Sequence, residues 1–289
     1  MSSISRTTDD PRVIQSMIPP VLYKYRLWNK ASHKTILTQR QLYFSSAYDF
    51  DDDKDCRFLV KHDLTYEHVE AFYRHHKRNW TEEQIQAFAR YMFKDRFGTP
   101  EKITEFKDNF YHYFNEAFGI LSLCRQNNLV RRWSEYADEF NGFCVGFSLG
   151  EHTDDLHDNQ IFVGPIDYVP DDQPPLNYFW EYQLDDTKVT EFFVRLITTK
   201  YEKYRFEDEF RLGKYFFQKQ AVQKHDRLYI VPKTAYQEII FGYKMPKIQA
   251  FEIIAESLKM RLNVHDKIAR PDHQGNVILD DISIPDFIH

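Results

Sequence analysis

Glycine is scarce in this chain, with 9 among 289 residues. The glycine-rich loops that cradle phosphates in P-loop proteins, kinases and dinucleotide-binding folds are absent, which excludes those classes. Cysteine is rarer still: Cys56, Cys124 and Cys144. Their spacing matches no zinc or C-x-x-C motif, and an odd count makes no disulfide framework, so the expected compartment is cytoplasmic. No run reaches the roughly 18 apolar residues of a membrane span, and the opening MSSISRTTDDPRV has no apolar signal core. Basic charge is not in excess either, since the formal net charge is −6. Sequence-independent nucleic-acid binding over the whole surface is thereby excluded, while a local basic cleft is not. Repeats, low-complexity tracts and a Ser-His-Asp order signature are missing too.

What the chain has is aromatic surface, 25 Phe and 19 Tyr, enough for a substantial folded core. VLYKYR (21–26) reads as a strand, NKASHKTILTQR as a short helix capped by Ser32, and QLYFSS (41–46) as a second strand entering the acidic loop AYDFDDDKDC. From 62 to 118 the pattern turns helical. A capping box at Thr81–Gln84 and the Thr99-Pro100 start signal place helices at about 65–79, 82–96 and 100–117. Strands are predicted at 119–124, 142–149, 161–169 (an edge or bulge at Gly164-Pro165), about 206–218, 227–231 and 238–242. Further helices are predicted over 127–140, 184–202 and 246–262, with one or two short strands in 263–289. Strands on both sides of a helical block imply an α+β fold with a central mixed or antiparallel sheet split around a cleft. We expect one domain over 1–289, its core at about 19–61 and 119–289, with a helical insertion at 62–118.

The stretch YRFEDEFRL (204–212) concentrates the chemistry. Residues i and i+2 of a strand face the same way, so Glu207, Glu209 and Arg211 share a face. Alternation gives one account, a polar face with a structural ion pair, while Phe206, Phe210 and Leu212 turn to the core. Asp208 falls on the apolar face and does not fit it. The other account is a pair of site carboxylates. Asp49, Asp51, Asp52, Asp53 and Asp55 offer oxygen ligands but lack the glycine and terminal glutamate of a calcium loop, and no metal is expected. Asp55 with Lys200, Glu207 and Glu209 would also suit a metal-dependent nuclease. His68, His75, His76 and His112 lack the i, i+4 pairing of a zinc helix. Trp133, Tyr136 and Ala137 wall a cleft or pack a core, and Arg131-Arg132 suits the phosphates of a nucleotide or nucleic acid.

In chain order, LYKYR, QLYFSSAYDFDDDKDC, SLCRQNNLVRRWSEYADEFNGFCVGF, TKYEKYRFEDEFRL and EIIFGYKM resemble a widespread family of uncharacterised bacterial and phage domains. That family has an LYKYR-like strand, an FNDPFDC-like loop, a W-S-x-Y-A segment and an E-x-E-x-R segment, matched here over about 21–245. Departures are Asp at the loop's Asn and Pro positions, and Arg132, Tyr204 and Phe206 where Met, Trp and Tyr are usual. More remotely, the order of parts is similar to mono-ADP-ribosyltransferases. This resemblance implies an NAD-consuming enzyme, an effector in phage defence or toxin action. It also implies that Arg26 binds NAD phosphate, that Ser45 or Ser46 supports the nicotinamide ribose, and that Glu209 is catalytic, with Glu207 orienting or deprotonating the acceptor.

The residues suit that chemistry. Breaking the nicotinamide–ribose bond gathers positive charge at the sugar, which a fixed carboxylate stabilises. A guanidinium fork matches pyrophosphate. Tyr23, Tyr25, Tyr43 or Phe44 would stack on nicotinamide, although alternation turns Tyr23 and Tyr25 away from Arg26. Lys200, Trp133 and Arg211 complete the expected cofactor-binding set. NAD or a related nucleotide is the expected ligand; the acceptor is open between protein, nucleic acid and water, and no membrane partner is expected. The alternatives are the nuclease and a non-catalytic interaction or sensor module whose helical insertion binds a protein partner.

Overall fold

The computed structural model describes residues 15–50, 55–56, 60–61, 65–172, 176–177, 186–216 and 221–282. It opens with β1 (Leu22–Arg26), α1 (Ala31–Thr38) and β2 (Gln41–Tyr43). Helices α2 (Tyr66–His76), α3 (Glu82–Phe97) and α4 (Pro100–Ala117) follow. Next come β3 (Phe118–Cys124), α5 (Val130–Tyr136), β4 (Phe143–Phe147), α6 (Thr153–Asp158), β5 (Ile161–Pro165) and β6 (Asp167–Val169). The chain continues through α7 (Asp186–Thr198), β7 (Thr199–Tyr201), β8 (Glu209–Tyr215) and β9 (Leu228–Ile230). It closes with β10 (Tyr236–Gly242), α8 (Lys247–Lys259), β11 (His265–Pro271) and β12 (Val277–Asp281).

Eight strands form one mixed sheet in the order β12-β11-β10-β4-β1-β3-β8-β5. Its neighbours are antiparallel except β10 and β11, which α8 joins as a crossover. The fold is α+β. β1 pairs with β4 along its whole length but with β3 only at Tyr23↔Cys124. There the β1–β3 ladder stops, and Ser45 bridges β3 at Ile120.

Register sorts the side chains onto two faces. On one, Leu22, Leu121, Leu123, Val145, Phe147, Phe210 and Ile239 pack under α1 and α8, including Ile36, Leu37, Ala250 and Ile253. The other face carries two separate apolar groups. Tyr23, Tyr25, Cys124 and Cys144 meet Trp133, Ala137 and Phe140 at one end. Phe118 and Ile120 meet Phe110 and Phe114 of α4 and Phe192, Leu196 and Ile197 of α7 at the other. A Cβ on Gly213 would lie 1.9 Å from the Phe162 ring, so the bare backbone lets Phe162 cross β8 and reach Tyr215, 4.6 Å between centroids.

The helical block starts where local signals place it. Thr81 and Gln84 bond reciprocally at the start of α3, and Thr99 caps α4 ahead of Pro100. α4 docks the block through its second half, where Phe110, Tyr111 and Phe114 are buried, whereas α2 and α3 bury only Val69, Ile85 and Ala89. Among the described residues no helix is long and apolar enough to cross a membrane.

Several boundaries differ from expectation. Ser32 does not cap α1: the helix begins at Ala31 after Lys30, with no side-chain cap bond. The helix expected over 127–140 is α5 alone, because Asp138, Glu139 and Phe140 all take positive φ (48°, 51° and 68°). The strand expected from 206 begins at Glu209; residues Glu202–Glu207 form a 3₁₀ turn and Asp208 is left-handed at φ 43°. Residues 184–185 and 217–218 of predicted elements, and Asp51, Asp52 and Asp53, lie outside the described residues.

Trp133 fixes α5 to the sheet. It is fully buried, edge-on to Tyr25 at 5.2 Å and stacked on Phe140 at 5.4 Å, and its indole N–H donates to the Asn127 carbonyl at 2.8 Å. Trp133→Ala is expected to lower stability by about 3–5 kcal/mol, read as the shift of a urea unfolding curve.

Candidate functional site: a buried charge cluster

Between the two apolar groups, one strip of the second face is polar. β8 places Glu209 opposite Cys124 and Arg211 opposite Ser122, so all four point to the same side. Asp55, Arg132, Lys200, Glu207, Glu209 and Arg211 gather there, all buried. Three carboxylates meet three cations, and the charges balance.

Lys200 is the hub. Its ammonium donates to Glu207 Oε2 at 2.6 Å and Glu209 Oε2 at 2.9 Å, with Asp55 Oδ2 at 3.6 Å. Arg211 donates Nε to Glu209 Oε1 at 2.7 Å and grips Asp55 with two bonds of 3.0 and 2.6 Å. It also donates to the Ile197 carbonyl at 2.6 Å. Arg132 reaches in from α5, binding the Glu207 carbonyl at 3.0 and 2.9 Å and Glu207 Oε2 at 3.4 Å. Ser122 lies on the same side of the two strands and helps hold the Glu209 carboxyl down. Glu207 Oε1 has the Tyr136 hydroxyl at 3.4 Å, and Tyr136 is 43% exposed. Glu207 is 6% exposed, against 2% for Glu209.

The turn before β8 makes this convergence possible. Asp208 leaves the strand at positive φ and its carboxylate accepts from Arg125 and, at 2.8 Å, from Gln126. Its misfit with alternation is resolved by a turn, not by burial of a charge. Lys200 arrives on β7, which pairs in parallel with β6 so that Lys200 faces Tyr168; the Tyr168 oxygen accepts from the Glu209 amide at 3.0 Å.

Burial pushes the Glu209 carboxyl up, but Arg211 and Lys200 override it and hold it well below 4.5. For Glu207 burial prevails over Lys200, and with Glu209 close by its proton affinity is raised. Burial disfavours the Lys200 ammonium, yet the surrounding carboxylates keep it charged.

Of the residues expected from sequence, Glu207, Glu209, Lys200 and Arg211 come together, joined by Asp55. Arg26 does not join them. It pairs with Phe143 on β4 and lies three residues beyond Tyr23, hence on the opposite face from the Tyr23–Cys124–Glu209 row. Tyr23, Tyr25 and Trp133 are buried packing residues and leave no open ring face for nicotinamide: the Tyr25 hydroxyl donates to the Gln126 carbonyl at 3.0 Å, and Tyr23 accepts from Asn127 at 3.2 Å. Ser45 serves through its backbone, and Ser46 caps the turn Ala47–Asp49 and donates to Asn115 at 3.1 Å. Ser122 and Arg132 were missed as members of the cluster. Ser122 is the one polar side chain in FGILSLC, a strand buried on both faces, and that interruption was the available signal. Among the described residues, no three acid, His or Cys side chains are placed to hold a metal ion.

No protein-family model, curated protein or solved structure matches the chain.

Removing the shared ammonium leaves two desolvated carboxylates facing each other. Lys200→Met is expected to cost about 3–5 kcal/mol in urea unfolding, and clearly less in a Glu209→Gln background. The pH response follows from Glu209. Its depressed value means that its contribution is complete above pH 4.5 and is lost as pH falls below 4.5. Glu207, raised above 4.5, acts in the reverse sense: its share is present below 4.5 and is lost as pH rises through its native value. Wild-type stability should fall on acidification below pH 4.5, and Glu209→Gln should flatten that fall in denaturation series at fixed salt.

Proposed function

We propose that the chain is an NAD-consuming enzyme of the ADP-ribosyltransferase type, cleaving the nicotinamide–ribose bond, and that it acts as an effector in phage defence or toxin action. The observation that carries this reading is the convergence of Glu207 and Glu209 with Ser122. The strands bearing Arg26, Ser122 and Glu209 are also consecutive in the sheet, β1-β3-β8. Ser122 then takes the place expected for Ser45 or Ser46.

The division of labour differs from the one implied by resemblance. Glu209 is 2% exposed and its oxygens are engaged by Arg211 and Lys200, so it positions. Glu207, with raised proton affinity and one oxygen toward the exposed Tyr136, is the group for acid–base work and for facing charge that develops on the ribose. Substrate approaches past Tyr136. The acceptor is water, a protein or a nucleic acid.

A second reading is a non-catalytic interaction module, with α2 and α3 as its docking element. It is favoured by the saturation of the Glu209 oxygens by the chain's own donors and by the placement of Arg26 on the other face. The nuclease reading has less support, because the Lys200 ammonium occupies the position among Asp55, Glu207 and Glu209 that a divalent ion would need.

Nicotinamide release from NAD, followed with candidate acceptors and with water alone, separates the first two. The wild type should release nicotinamide, and Glu207→Gln should reduce kcat by roughly 10²-fold or more at a temperature where circular dichroism shows the variant folded. Absence of release by the wild type, or equal release by the variant, discards the enzyme.

A further inference from the structure

We propose that the outward face of α3 is a contact between two copies of this chain, paired antiparallel about a two-fold axis. The proposal holds with either reading above, and it gives the docking element of the non-catalytic reading its partner. Helix α3 is apolar on two sides. Ile85 and Ala89 are buried within the helical block. Roughly a third of a turn round the helix, Trp80, Gln84, Ala87, Phe88 and Tyr91 line an open groove. Gln84, Ala87 and Tyr91 are exposed, Tyr91 by 62%, while Trp80 and Phe88 are half-buried. A surface helix that only covers a core needs one apolar stripe, and α3 has a second.

The spacing of this second stripe is that of a helix-pairing seam. Trp80, Gln84, Ala87 and Tyr91 follow one another at four, three and four residues, the interval at which one helix packs along another. Ring contacts within the chain already set its shape. Phe88 is edge-on to Trp80 at 5.2 Å and tilted against Tyr91 at 6.2 Å, with Tyr73 of α2 behind it at 4.9 Å. Little side-chain freedom is therefore left to lose on pairing. Exposed apolar side chains elsewhere are scattered: Tyr48, Ile230 and Tyr243 stand on separate elements, and Ile248 and Leu258 lie at opposite ends of α8.

Charge names the occupant. Glu83 and Arg90 flank the seam on one side, two helical turns apart, and both are exposed. Among the described residues neither makes an ion pair. Antiparallel pairing sets Trp80 of one copy against Tyr91 of the other and Gln84 against Ala87. It then brings Glu83 opposite Arg90 twice, once in each direction. A two-fold contact repeats every pairing, so a surface with both signs at matched distances is complementary to itself. The small Ala87 lets the two backbones approach near the centre. Parallel pairing would instead set Glu83 beside Phe88 of the other copy, a carboxylate against a ring with no counter-charge. A nucleic acid or an acidic peptide would answer Arg90 but meet Glu83 with like charge.

Analytical ultracentrifugation of the full chain over a concentration series tests this, with circular dichroism to establish that each variant is folded. The wild type should pass from monomer to dimer as concentration rises, the seam being short. Glu83→Arg alone and Arg90→Glu alone should each weaken association by roughly tenfold, because each sets like charges opposite one another twice. The double variant carrying both changes should recover wild-type association. An equimolar mixture of the two single variants should form a heterodimer, since each then offers the charge the other lacks. A wild type that stays monomeric overturns the proposal, as does a dimer indifferent to the single changes. So does a double variant no better than the singles, or single variants that fail to combine. The measurement reads mass and not turnover, so its failure leaves the nicotinamide-release reading untouched.

Discussion

One ammonium shared by two carboxylates organises this protein. Lys200 lies between Glu207 and Glu209 in a place that water hardly enters, where an unshared charge would be costly. The demand that each buried charge find a partner reaches through Arg211 to Asp55 and through Arg132 to α5. Three separate pieces of chain are therefore drawn to one point: Asp55, α5, and the continuous run of β7, the turn ending at Glu207 and β8. No apolar contact would choose among alternative positions for these pieces so sharply. Hydrophobic packing tolerates sliding, whereas hydrogen-bonded charge pairs do not.

The position of the cluster follows from what flanks it. Aromatic groups fill the second face at either end, one under α5 and one under α4 and α7. The strip between them is occupied by Ser122, Glu209 and Arg211, residues that alternation brings to that side of two adjacent strands. An apolar collar lowers the local dielectric, which strengthens the pairing and also raises the proton affinity of Glu207. The same surroundings that hold the cluster together thus set Glu207 apart from Glu209, whose proton affinity is lowered.

Much of the architecture was legible because it is local. The starts of α3 and α4 were set by Thr81 with Gln84 and by Thr99 with Pro100, within single turns of chain. The strand character of β1, β3, β4 and β10 came from short apolar and aromatic runs. The cluster was only half legible. Glu207, Glu209 and Arg211 could be grouped from their spacing, but all three were placed on one strand, whereas a left-handed Asp208 separates Glu207 from Glu209 and Arg211. Asp208 had already announced the break by falling where alternation required an apolar residue. Arg132 was hidden because its partner, Glu207, lies 75 residues away. Arg26 was carried to the wrong face by an order of parts that says nothing about register. Contacts set by pairing register and crossover geometry leave little trace in neighbouring letters, and this sheet, with β1 beside both β4 and β3, depends on them.

The mounting of the helical block has an evolutionary consequence. Only the second half of α4 is seated among the sheet's aromatics, while α2 and α3 contribute Val69, Ile85 and Ala89 as their buried residues. Selection for a well-folded body therefore exerts little pull on the outer hairpin. Its outward-facing positions can drift, or the whole hairpin be exchanged by recombination, without disturbing the charged centre, because so few of its side chains are tied to the sheet.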